Sequence, residues 1–138
     1  MDKEITVLLK LLSETSFETG DESLAEKYFN QLWDKYGIIA NKTLQKNFLQ
    51  NMSDNQYVLK HILFIVGNMP LERRDNLEAI PLEGISNSDI EIQDLAVRCF
   101  EAWEDKKYLP TLRHLHDRTD VRWLKDYIID VIQAIDVE

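Results

Sequence analysis

Cysteine is nearly absent from this sequence. Cys99 is the one thiol in 138 residues, so no intramolecular disulfide can form. A lone thiol suits a reducing compartment, where structural disulfides are rare. Glycine and proline are scarce as well, at four and three residues. That scarcity excludes collagen and low-complexity linkers and argues against a turn-rich β-sandwich. Long hydrophobic runs are missing: the longest strongly apolar stretch, Ile62 to Val66, is far too short to cross a bilayer. The residues Met1, Asp2, Lys3 and Glu4 carry charges of both signs, unlike a signal peptide. The expectation is a soluble protein of the cytoplasm.

Positive charge is the other shortage. Sixteen basic residues face 25 acidic ones, for a formal net charge of -9. Nucleic-acid binding draws most of its affinity from Lys and Arg on phosphates, so this balance argues against it. An anionic membrane surface is disfavoured for the same reason. A basic protein partner would instead be attracted and steered in.

What is present is apolar content, 44% of residues, which is too much for a disordered chain. The length suits one α-helical domain over residues 1–138. Helical periodicity recurs throughout, and strand alternation almost nowhere. Ile5, Leu8, Leu9 and Leu12 share one face, and residues 13–21 read as a polar loop. Leu24, Ala25, Tyr28, Phe29, Leu32 and Tyr36 form the next stripe, which Gly37 stops. Leu44, Phe48, Leu49 and Met52 mark a short third helix. Ser53 and Gln56 form a capping box before a helix apolar almost all round from Val58 to Val66, a pattern that implies a central position. It ends near Gly67, and one more short helix fits residues 71–80 before Pro81.

A second capping box, Ser88 and Glu91, opens a helix carrying Ile92, Leu95, Ala96, Cys99, Ala102 and Trp103. Pro110 starts a shorter helix with Leu109, Leu112 and Leu115. Asp120 can cap the last one, whose stripe is Val121, Leu124, Ile128, Val131, Ile132 and Ile135. A shift of 29 residues lays the Ile92 stripe on the Val121 stripe, and a shift of 34 lays it on Val58, Ile62, Ile65 and Met69. A helical repeat gives such offsets, and so do any two amphipathic helices aligned at a suitable shift; the loose alignment of the polar caps favours the repeat. The expected core includes Leu32, Ile62, Ile65, Leu95, Cys99, Leu112, Leu124 and Ile128.

The run Ser88-Asp89-Ile90-Glu91-Ile92-Gln93-Asp94-Leu95-Ala96 through Trp103 resembles the first helix of a HEAT-type repeat. It has an acidic cap, a branched apolar residue, then an Ala where two helices cross closely. Asp120-Val121-Arg122 resembles the start of another such helix, while Gln93 departs from the pattern where an Arg is expected. The resemblance covers residues 85 to 136. It implies an all-α, irregular HEAT-like array of about six or seven helices, α-solenoid-like, that binds partners through a surface. Small acidic helical-repeat proteins of this size are also similar to bacterial immunity proteins. These include the partners of contact-dependent growth inhibition toxins, whose toxin domains are often basic nucleases.

Candidate chemistry is thin. His114 and His116 stand two apart, so on a helix they point to different sides and do not chelate one ion well. His61 falls on the apolar side of its helix and Cys99 in mid-stripe, where core packing is the simpler reading. The carboxylate pairs Glu104 with Asp105 and Asp126 with Asp130 occur without a Gly-rich loop, nucleophile elbow or zinc spacing. No catalytic residue, cofactor or metal is expected.

The charge excess has a place. Residues 1–70 hold 7 basic and 9 acidic residues, and residues 71–138 hold 9 and 16. Glu91, Asp94, Glu101 and Asp105 fall along one face after Ser88, interrupted by Arg98. Trp123, Asp126 and Asp130 share the face of the last helix turned from Leu124 and Ile128. A solvated outer face explains either stripe; so does an interface with a Trp anchor. The functional expectation is an inhibitor that occludes a basic protein, such as a toxin nuclease. The alternative is a helical-repeat adaptor in a larger assembly.

Overall fold

A computed structural model describes residues 2–51 and 54–137. Among these residues there are eight α-helices and no strand. They are α1 (Asp2–Glu14), α2 (Leu24–Tyr36), α3 (Ile38–Gln50), α4 (Gln56–Gly67), α5 (Ala79–Ile85), α6 (Ile90–Trp103), α7 (Leu109–Arg118) and α8 (Arg122–Asp136). Single 3-10 turns lie at Leu71–Arg73 and Lys106–Tyr108.

The all-round apolar helix is indeed central. From Val58 to Val66 α4 buries every side chain but that of Lys60, and it packs against α1, α3, α5 and α6. Its N-cap is Asn55, whose side chain accepts from the Val58 N–H. The expected cap at Ser53, like Met52 of the third stripe, lies outside the described residues. That third helix is not short, since α3 runs 13 residues. It starts one residue after α2 because Gly37, at φ 61° and ψ -134°, turns the chain where a side chain would be strained.

The helix count exceeds the expected six or seven, and Pro81 is one reason. It lies inside α5, at the third position, where the missing N–H is not needed by the ladder. Two other boundaries shift by a residue. Asp89, not Ser88, caps α6 by accepting from the Glu91 and Ile92 N–H groups. Before α8 the Thr119 hydroxyl, not Asp120, accepts the Val121 N–H. Leu24 departs from its stripe too: as the first residue of α2 it is exposed.

The close crossing expected at Ala96 is present. A Cβ on Gly84 of α5 would stand 3.1 Å from the Ala96 Cβ and 3.3 Å from a Leu63 methyl, so a side chain there would push its neighbours by a few tenths of an ångström, and glycine lets α5 lie close on α6. Burial also separates the two offsets. Val58, Ile62, Ile65 and Met69 are buried like Ile92, Ala96, Cys99 and Trp103, at the offset of 34. For α8 the buried set is Leu124, Ile128, Val131 and Ile135, which answers α6 at an offset of 32 rather than 29. The offset of 29 pairs exposed Ala102 with buried Val131. The expected core holds except at Leu95, which is half-buried. Among the described residues no helix is long and apolar enough to cross a membrane.

Candidate functional site

The four acids after Ser88 are largely engaged within the fold. Glu91 lies 3.3 Å from the Lys60 Nζ, which also reaches the capping Asp89 at 3.4 Å. Asp94 accepts from the Arg98 Nε at 3.1 Å. Glu101 accepts from the Tyr127 hydroxyl of α8 at 2.6 Å. Burial and the adjacent Glu101 carboxylate push the Tyr127 phenol up, so that hydroxyl stays a donor. Asp105 is not on α6, which ends at Trp103; it caps the following turn and meets Arg74 at 3.4 Å. These acids spend their charge on joining α4, α6, α8 and the 71–78 segment.

The outer face of α8 is different. Leu124, Ile128, Val131 and Ile135 point inward, which leaves Trp123, Asp126 and Asp130 outside. Trp123 is 52% exposed and Asp126 pairs only with Arg122 on its own helix, at 3.6 Å. The Asp130 side chain has no hydrogen-bond or ion-pair partner among the described residues. An indole beside an exposed, loosely paired Asp126 and the unengaged Asp130 offers both apolar area and charge to a partner.

The other residues with chemical potential are held in the interior. His61 is fully buried. Its Nδ1 lies 3.0 Å from the Leu12 carbonyl and its Nε2 2.8 Å from the Ser23 Oγ. A carbonyl only accepts, so Nδ1 carries the proton and Nε2 accepts from the Ser23 hydroxyl, which in turn accepts from the Glu26 N–H at 3.1 Å. The Ser–His contact looks like a nucleophile and its base, but Ser23 is itself a buried helix cap. Burial lowers the His61 pKa and keeps the ring neutral. Cys99 is buried with its thiol toward the Leu63 carbonyl, and burial pushes its pKa far up. His114 is exposed, while His116 pairs with Asp117 at 3.0 Å. Among the described residues no three His, Cys, Asp or Glu side chains converge as metal ligands.

Two adjoining clefts lie at the end of α4. One, of about 220 Å³, has Leu63, Phe64 and Gly67 of α4 and Leu95, Arg98, Glu101 and Ala102 of α6 around it, with Thr19 and Asn68 at its edge. The other, of about 270 Å³, is bordered by Gly20, Asp21, Glu22, Glu26 and the same Asn68. The 15–23 loop that borders both is fixed by Phe17, which stacks 4.7 Å from the His61 ring and 5.0 Å from Phe64. Tyr57 adds a hydrogen bond to the Thr15 carbonyl at 2.6 Å.

Comparison with protein families, curated proteins and solved structures finds no match to this chain. The molecule's own geometry therefore carries the functional argument.

Sequence reasoning placed the α8 face but missed the clefts. Their walls come from residues as distant as Thr19, Gly67 and Arg98, which no periodicity brings together. One local signal was legible: Ser23-Leu24-Ala25-Glu26 has the spacing of a capping box. Its reading would have put Glu26 at the start of α2, beside the second cleft.

Proposed function

We propose that this is a non-enzymatic binding protein that recognises a basic protein and occludes its working surface, as immunity proteins do with toxin nucleases. The observation that carries the reading is the outer face of α8, where half-exposed Trp123 sits with Asp126 and with Asp130, which has no partner among the described residues. Carboxylates there would take the place of substrate phosphates against the partner's Lys and Arg. Trp123 would supply the apolar burial that makes such an interface hold. The acids of α6, already engaged internally, orient α6 against its neighbours and contribute mainly through the long-range field.

The pairing of α5 with α6 and of α7 with α8, and the shared burial pattern, support an α-solenoid-like, HEAT-like stack that presents α8 at one side. A single buried thiol accords with a place in the cytoplasm.

Capture from the native host followed by mass spectrometry identifies the partner. A basic protein is expected, with an association rate that falls about tenfold or more from low to high salt. Reversal of Asp126 and Asp130 to Lys should abolish capture. Salt-insensitive association with an assembly subunit, unaffected by the reversal, would replace this reading with the adaptor one.

A further inference from the structure

We propose that the two clefts flanking Asn68 form one trough that receives an arginine or lysine side chain of the basic partner. The proposal rests on the reading that the partner is basic, and it adds a second point of contact away from α8. The trough has an apolar floor and a charge gradient. Leu63, Phe64 and Leu95 line the floor, with Gly67 beside them. Arg98 stands on one side, already bonded to Asp94. Asp21, Glu22 and Glu26 stand on the other, with no cation in ion-pair range of any of them among the described residues.

Glu26 is the informative member. It is more than nine-tenths buried, yet its carboxylate meets only neutral donors, the Asn68 amide at 3.4 Å and the Ser23 backbone N–H. Burial and the nearby Glu22 raise its pKa, the signature of a carboxylate short of a counter-charge. A buried charge without an opposite one is costly, and a cation brought by a partner would relieve that cost. The lining decides the chemistry of the guest: the cleft of about 220 Å³ has an apolar floor, and the adjoining one of about 270 Å³ is acidic. An arginine or lysine fits both features, with its methylene stem on the floor and its head toward the acids. An acidic side chain would meet three carboxylates, and an apolar one would bury them further. These acids do not converge as a metal group.

The test is a nitrogen-15 NMR titration of the full chain with a hexa-arginine peptide, with hexa-glutamate as the control. Saturable shifts are expected at the Thr19, Gly67 and Asn68 amides with the basic peptide alone. Ala102→Trp, made at an exposed rim position, fills the trough without touching the core and should weaken those shifts at least tenfold. Glu22→Gln with Glu26→Gln keeps the neutral hydrogen bonds and should weaken them about tenfold. Shifts at Trp123 and Asp130 with none around Asn68 would overturn the trough and leave the α8 reading standing. Shifts at the trough alone would support it and overturn the α8 face. No shifts anywhere would overturn both, and trough shifts unchanged by Ala102→Trp would overturn the trough as diffuse charge attraction.

Discussion

Around His61 a run of hydrogen bonds ties α1, α2 and α4 together, whereas α6 and α8 bring only apolar side chains and one thiol to the core. The contrast extends along the chain. Among the described residues the buried polar side chains Ser23, Glu26, Asn41, Asn47 and His61 precede residue 70, and Thr119 alone follows it. Hydrogen bonds are directional and costly to strand, so they fix the loops of the first half in place. Apolar packing is indifferent to orientation and leaves the charges of the second half for the surface. There they form pairs such as Arg74 with Asp105 and Lys107 with Glu78.

The largest expected effect lies in the apolar half. Phe100 is fully buried, 4.7 Å from Tyr108 and 6.0 Å from Trp103 between ring centres. Phe100→Ala should cost about 3–5 kcal/mol in urea unfolding. The loss should be equal at pH 7.5 and 5.5, because no titratable hydrogen bond goes with it. A loss that changed with pH would mean that the two halves are less separate than their buried side chains indicate.

Asn41 probes the polar half. Its amide donates to the Arg73 carbonyl at 2.6 Å and to the Asp75 carbonyl at 2.8 Å, pinning the 71–75 turn to α3. Asn41→Ala should cost about 1–3 kcal/mol. Hydrogen exchange should quicken first at Arg74 and Leu77, whose N–H groups close that turn, and not in α8.

His61 then sharpens the comparison by pH. Burial holds its folded pKa below the ordinary histidine value of about 6.5, so the unfolded chain binds the proton more readily. Stability from this group is complete above pH 6.5 and declines as pH falls through and below that value. The slope is at most about 1.4 kcal/mol per pH unit for one proton. In His61→Gln the decline between pH 6.5 and 5.5 should vanish, even though the variant is less stable at pH 7.5. A slope that survived in His61→Gln would have to come from another group.

Much of this division was legible in the sequence. The run Val58–Val66 announced α4, and the α8 stripe separated Trp123, Asp126 and Asp130 from Leu124 and Ile128. Whereas α8 starts after Val121 with no side-chain cap, the cap of α6 slipped by a residue because Ser88 and Asp89 stand side by side. Either member can accept an N–H, and only the backbone decides. Phe17 was hidden inside a loop that reads as polar, although it covers His61. Pro81 read as a stop because a proline ends a helix interior but not a first turn. The partners of Glu91 and Glu101, Lys60 and Tyr127, lie on other helices. A stripe that looks solvated or sticky in one helix is therefore consumed by packing that a single helix does not reveal.

The smallest expected effect on stability belongs to the α8 face. Asp126→Lys with Asp130→Lys gives up the 3.6 Å pair with Arg122, made between two mostly exposed side chains, and sets a lysine near that arginine. Against this, lysine is a better helix former than aspartate. These terms are small and opposed, so unfolding free energy should change by less than about 0.5 kcal/mol. A change that small would show that the fold does not depend on these two acids, which leaves the face available to a partner. A change above about 1 kcal/mol would assign these side chains to the fold and remove the argument for an interface on α8.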